Sequence, residues 1–153
     1  MIPRTMFTLV FLVGLSNCGF GLGTPRYIES AYHKGDVALV RHGTVVPLCI
    51  DSNDYPGVIR AVSDLQGDIE RVTGKLPAIV RDTAGLSVDT VIIGTIGKNA
   101  IIDQLVQNGK LDVAPIFGKW ESFLIQSVDL SASGPKHALI IAGSDKRGTI
   151  YGI

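Results

Sequence analysis

Between residues 58 and 72 the apolar side chains Val58, Val62, Leu65, Ile69 and Val72 recur at alternating spacings of four and three. Arg60, Asp64, Asp68 and Arg71 fall off that stripe. The pattern predicts an amphipathic helix whose apolar stripe faces a core, with Arg60 and Asp64, four apart, as a weak surface pair. Asp51-Ser52-Asn53-Asp54 supplies capping side chains at its start, and Pro56 suits a first helical turn. Gly74 can close the helix in a left-handed cap, and Pro77 prevents its return.

Around this helix the chain reads mainly as short strands. Apolar runs at 37–40 and 45–50, separated by Arg41-His42-Gly43-Thr44, suit two strands around a turn. Residues 77–81 and 89–93 are the next pair, the second so continuously apolar that burial on both faces is expected. Ile101, Ile102, Leu105 and Val106 mark a shorter helix that ends before Gly109. Residues 123–128 and 138–142 are two further strands, parted by the turn-rich Ser131-Ala132-Ser133-Gly134-Pro135. Strands, helix, strands, helix, strands is the order of a single α/β domain with a mixed, mostly central β-sheet and amphipathic helices packed on it. Val62, Leu65, Ile69, Ile92, Ile140 and Ile141 are the expected core. The closing stretch 147–153 reads as the first turn of a helix. Its apolar Ile150, Tyr151 and Ile153 lead us to expect cover from sequence beyond Ile153, so that the chain is a truncated piece of a longer protein.

Composition narrows the function classes. A chain of 153 residues suits one core. With 14 Lys+Arg against 14 Asp+Glu the net charge is zero, which removes the basic surface expected of a nucleic-acid binder. Hydrophobic residues at 46% and charged residues at 18% exclude an intrinsically disordered tail. Arg4, the apolar run at 6–15 and the small residues Gly19, Gly21 and Gly23 have the tripartite layout of a secretory signal peptide. The expectation is therefore a signal peptide at 1–23 and a mature α/β domain at 24–153, secreted to the extracellular space or periplasm, with no membrane association after cleavage. The apolar run is shorter than the roughly 20 residues that span a bilayer. Two alternatives stand beside it: a buried N-terminal strand or helix, and lipidation at Cys18, where Leu15-Ser16-Asn17-Cys18 resembles a lipoprotein box with an ill-fitting Asn17. Cleavage leaves Cys49 as the sole cysteine. Within its apolar stretch it reads as a small buried hydrophobe. A reactive thiolate would want a basic partner, and the positions of His33, His42 and His137 specify no such pair.

Four constellations invite chemistry, each with a plainer reading. Gly94-Thr95-Ile96-Gly97-Lys98 lies between a strand and a helix, where backbone N–H groups can hold an anion. It fails the P-loop spacing, with two residues between its glycines and Asn99 in place of Ser or Thr. Gly143 and Gly148 have the right spacing, but Thr149 occupies the lysine position. A tight strand-to-helix turn explains both. Asp51 and Asp54 stand at the sheet edge where α/β proteins place ligands, and helix capping accounts for them. Asp64 and Asp68 are four apart on the helix and read as solvated charge beside Arg60 and Arg71. The histidines lack metal-ligand spacing and no G-x-S-x-G elbow occurs, so no catalytic, metal or cofactor-binding residue is assigned and no cofactor is expected.

Several segments, taken in order, are similar to the N-terminal domain of glycoside hydrolase family 115. They are Val46-Pro47-Leu48-Cys49-Ile50-Asp51-Ser52-Asn53-Asp54-Tyr55-Pro56-Gly57-Val58-Ile59-Arg60-Ala61, Asp64-Leu65-Gln66-Gly67-Asp68-Ile69-Glu70-Arg71-Val72-Thr73-Gly74, Ile93-Gly94-Thr95-Ile96-Gly97, Gly118-Lys119-Trp120-Glu121-Ser122-Phe123, and the most specific, Ala142-Gly143-Ser144-Asp145-Lys146-Arg147-Gly148-Thr149-Ile150-Tyr151-Gly152-Ile153. The resemblance runs from about Asp36 to the last residue. It implies a parent that is a xylan α-1,2-glucuronidase, removing glucuronic acid or its 4-O-methyl ether from glucuronoxylan with inversion. It also implies that the catalytic carboxylates sit in a barrel domain following this one. No residue here matches a catalytic position, so none is carried over. The expected partners are glucuronoxylan, through the parent enzyme, and the barrel domain of the same chain. The alternative is a self-standing secreted carbohydrate-binding or protein-interaction domain, against which stand one Trp and four Tyr scattered along the sequence.

Overall fold

In the computed structural model, residues 32–33, 36–84, 89–130 and 137–153 are described. The expected signal segment, Cys18 and the turn at 131–135 lie outside them. A two-stranded ribbon, β1 (Val40–Arg41) and β2 (Thr44–Val45), leads into β3 (Leu48–Cys49), α1 (Pro56–Thr73), β4 (Ile79–Val80), β5 (Thr90–Thr95), α2 (Ala100–Gln107), β6 (Phe123–Asp129), β7 (His137–Gly143) and α3 (Lys146–Gly152). β3, β4, β5 and β7 run parallel in a five-stranded sheet of order β4-β3-β5-β7-β6, and β6 closes one edge antiparallel to β7. The expected α/β domain with a central sheet and packed helices is what forms.

One expected strand is divided. The apolar run 45–50 contributes Val45 to the ribbon and Leu48 and Cys49 to the main sheet. His42 and Gly43, both at positive φ (49° and 76°), make the two-residue turn between β1 and β2, a conformation that matches strand twist and favours glycine.

The period of two along each strand sorts side chains into two cores. Leu48, Ile50, Val91, Ile93 and Ile141 pack with Val58 and Val62 of α1, joined at the margin by Leu65, Ile69 and Ile153. On the other face Cys49, Ile92, Ala138, Ile140 and Ala142 pack with Ile102 of α2 and with Leu111, Val113 and Ile116 from the following loop. All six residues of β5 are buried, as a doubly covered central strand requires. Val62, Ile92, Ile140 and Ile141 are core as expected, while Leu65 and Ile69 are half-buried.

Val72 departs from the expectation and is 86% exposed. It lies on the right stripe but in the last turn. An 18-residue helix is about 27 Å long at about 1.5 Å per residue, more than the six or seven residues of the longest strands cover, so α1 overhangs its sheet there. Gly74 does end the helix at φ 68°, donating to the Glu70 carbonyl. The surface ion pair joins Asp68 and Arg71 instead of Arg60 and Asp64. At the far end α3 forms as expected, and Ile153 is half-buried against the α1 face while Ile150 and Tyr151 stay exposed.

Candidate functional site

The carboxyl ends of β3, β5 and β7 bring three loops together, the place where open α/β sheets receive ligands. Asp51 and Asp54 lie there and do not cap α1, whose first residue follows Tyr55 with no side-chain cap. Instead they reach across to the next loop. Asp54 Oδ2 accepts the Thr95 N–H at 2.8 Å and the Asn99 amide at 3.3 Å. Asp51 Oδ2 accepts the Ala100 N–H at 3.0 Å, at the start of α2, and Oδ1 accepts the Asn53 N–H at 2.8 Å. Pro56 begins α1 without an N–H, so that helix has less need of a cap than α2. These bonds, that of Asn53 foremost, hold the Asp51 carboxyl below the usual carboxylate range.

The glycine-rich turn at 94–98 is likewise closed to an anion. Asn99 Oδ1 accepts the Ile101 and Ile102 N–H groups, and Asp103 accepts that of Gly97 at 2.8 Å. Gly94 is glycine because Asn99 fills the space: a Cβ there would lie 2.3 Å from the Asn99 amide nitrogen. The second pair of glycines has the same logic. A Cβ on Gly143 would meet the Thr149 nitrogen at 2.1 Å, and one on Gly148 the Ser122 carbonyl at 2.3 Å. The tight-turn reading holds for both. Cys49 is fully buried, and desolvation, with Asp82 and Asp51 nearby, pushes its thiol up to about 12, so it is a packed hydrophobe and no nucleophile. His137 pairs with Asp129 at the edge of the sheet and His33 with Asp36.

What faces solvent at this edge is a groove of about 320 Å³ lined by Tyr55, Trp120, Asp145, Lys146 and Arg147. Trp120 is 87% exposed. The next residue, Glu121, has φ 52°, a left-handed conformation that costs a non-glycine residue about 1–3 kcal/mol where it is imposed. Asp145 imposes it. Its Oδ2 accepts the Glu121 N–H at 2.9 Å while its Oδ1 accepts the Arg147 and Gly148 N–H groups at the start of α3. Those three donors, Glu121 foremost, keep the Asp145 carboxyl below its ordinary range. Arg147 is fixed in turn between Tyr151, whose hydroxyl accepts at 3.0 Å, and the Glu121 carboxylate at 2.8 Å; both raise its pKa above the ordinary value. Lys98 stands 5.4 Å over the Tyr55 ring. A larger depression, about 580 Å³, lies at the carboxyl end of α2 among apolar side chains and Asp112, remote in chemistry from any of this.

Sequence reasoning weighed Asp51 and Asp54 and missed Trp120, Glu121, Asp145 and Arg147 as a unit. Scattered aromatics are here gathered, Tyr55 with Trp120. The available signal was the Gly118–Phe123 and 142–153 segments of the family resemblance, which point to residues without saying that they meet.

Among solved structures the chain is similar to a family GH115 4-O-methyl-alpha-glucuronidase with specificity for decorated arabinogalactans, at 25% sequence identity and a TM-score of 0.54. The similarity covers 70% of this chain and 12% of that one. By sequence, no protein-family model and no curated protein matches.

Proposed function

We propose that the chain is the N-terminal, non-catalytic α/β module of a secreted family GH115 α-glucuronidase. The whole enzyme is an inverting hydrolase releasing glucuronic acid or its 4-O-methyl ether from a decorated polysaccharide, glucuronoxylan in the first instance. The observation that carries this is the likeness of 70% of the chain to only 12% of such an enzyme, the relation of a module to its parent. The side chains support the non-catalytic part. Inversion needs a protonated acid and a free carboxylate about 6.5–9.5 Å apart, whereas Asp51 and Asp145 are each tied to backbone N–H groups and held ionised. The module packs against the catalytic barrel and contributes a rim to the substrate cleft.

The test is the release of 4-O-methylglucuronic acid from glucuronoxylan and from arabinogalactan by the product of the whole gene and by the 153-residue chain. Activity of the whole product on either polymer, with none from the chain, is expected, and the preferred polymer names the substrate. Inactivity of the whole product on both overturns the proposal. The exposed Trp120 groove favours a second reading, a self-standing secreted glycan-binding domain. A stop codon directly after Ile153 supports it, and several hundred further codons support the enzyme.

A further inference from the structure

We propose that the groove of Tyr55, Trp120, Lys146 and Arg147 is a binding subsite for a glucuronate-bearing oligosaccharide. The choice of a uronate over a neutral sugar rests on the proposed function; the sugar-binding character rests on the groove itself. Trp120, the single tryptophan of the chain, is 87% exposed and takes no part in either core. A pyranose presents one face of axial C–H groups, which fits the electron-rich face of an indole. At about 320 Å³ the groove is at the small end of ligand sites, the size for a short oligosaccharide segment and not for a large cofactor.

The rim supplies the charge. Arg147 uses one guanidinium nitrogen on Glu121 and another on Tyr151, and a guanidinium has five N–H donors in a fixed fork, so donors remain for a carboxylate. Because those two partners hold the fork before any ligand arrives, little ordering cost is left for binding. Lys146 adds a second cation, and Lys98 over Tyr55 a third. Two carboxylates oppose them. Glu121 is engaged by Arg147, and both oxygens of Asp145 accept backbone N–H groups, which offset its charge and turn it toward the protein. The strained φ at Glu121 thereby becomes intelligible: Asp145 fixes the residue that follows Trp120 and, on the same helix start, presents Lys146 and Arg147 beside it.

Because Trp120 is the single tryptophan, the fluorescence of the chain reports on the groove directly. The 153-residue chain is titrated with 4-O-methylglucuronosyl xylotriose, with a glucuronosyl galacto-oligosaccharide, and with neutral xylotetraose. A saturable change is expected with at least one acidic ligand, about tenfold tighter than with the neutral one and weakened by salt. Calorimetry with Trp120→Ala, whose far-UV circular dichroism and melting are expected to match the unaltered chain, should show binding lost. The pair Lys146→Ala and Arg147→Ala should lower affinity for the acidic ligands about tenfold and leave the neutral one unmoved. No saturable change with any ligand, or binding undiminished in Trp120→Ala, overturns the subsite. Equal affinity for neutral and acidic sugars overturns the uronate assignment. Which acidic ligand binds tighter identifies the polymer. Failure here, with the whole gene product active, leaves the proposed function standing; binding here beside an inactive gene product does the reverse.

Discussion

The hydroxyls of Thr95 and Thr149 meet at 2.8 Å in the interior, although 54 residues separate them in sequence. Thr149 gives its proton to the Asp145 carbonyl at 2.9 Å, so Thr95 is the donor between the two. The contact pins the end of β5 to α3 beside Gly143, and its direction makes the two residues unequal. Thr149→Val strands a buried donor on Thr95 and is expected to cost about 1–3 kcal/mol, whereas Thr95→Val removes one bond and costs less. The double variant should lose less than the sum of the two, since removing both partners leaves nothing unsatisfied. Urea denaturation of the four proteins measures this cycle; strict additivity would mean that the hydroxyls do not interact.

Gly143→Ala places a methyl carbon against the Thr149 backbone nitrogen, at 2.1 Å before any shift. A backbone atom yields less readily than a side chain, so a loss of about 1–3 kcal/mol or more is expected. Gly67→Ala on α1 is the control: its nearest neighbour is the flexible Arg71 guanidinium at 3.5 Å, and replacing a mid-helix glycine should stabilise by up to about 1 kcal/mol. Thermal melts in which both variants move the same way would contradict this packing.

Ile92→Ala should cost about 2–5 kcal/mol, because the side chain is fully buried in the α2-side core and leaves a cavity. Leu65→Ala, half-buried, should cost less. Val72→Ser should fall within about 0.5 kcal/mol of no effect, as surface changes do. Denaturant midpoints that rank Val72→Ser with Ile92→Ala would put the end of α1 under cover.

Acid should destabilise the domain through Asp51 and Asp145. Both carboxyls have folded pKa values below the ordinary one, so their contribution is present above the usual carboxylate range and is lost as the pH falls through the folded values. Stability is expected to be level from pH 7 to about pH 5 and to fall below about pH 4. Asp145→Asn keeps one acceptor oxygen for the α3 cap but loses the second, so the acid slope should flatten and the Glu121 loop loosen. Urea midpoints between pH 3 and pH 7, with amide exchange at Glu121, test both effects; an unchanged slope would detach Asp145 from the acid transition.

Periodicity made α1, α2 and the buried strands legible, because alternating spacings of three and four, or an unbroken apolar run, are demanded by burial whatever the partner. The same logic could not show that α1 outruns its sheet at Val72, since overhang depends on the lengths of other elements. Nor could it divide the run 45–50 between a ribbon and the central sheet, where Pro47 separates two sets of pairing partners.

From the sequence alone came the α/β class, most of the core, the Gly74 helix stop and the glycine-rich turns read as turns, all properties of neighbouring residues obeying local sterics and burial. The destinations of Asp51, Asp54 and Asp145 were tertiary decisions. An acidic residue beside a helix start satisfies whichever unpaired N–H groups the fold brings within reach, and for Asp51 and Asp54 these lay in the β5–α2 loop, more than forty residues away. Asp145 divided its two oxygens between its own helix and Glu121, 24 residues distant. The groove around Trp120 is likewise a property of where three loops converge, and convergence is set by strand order, which no local pattern records.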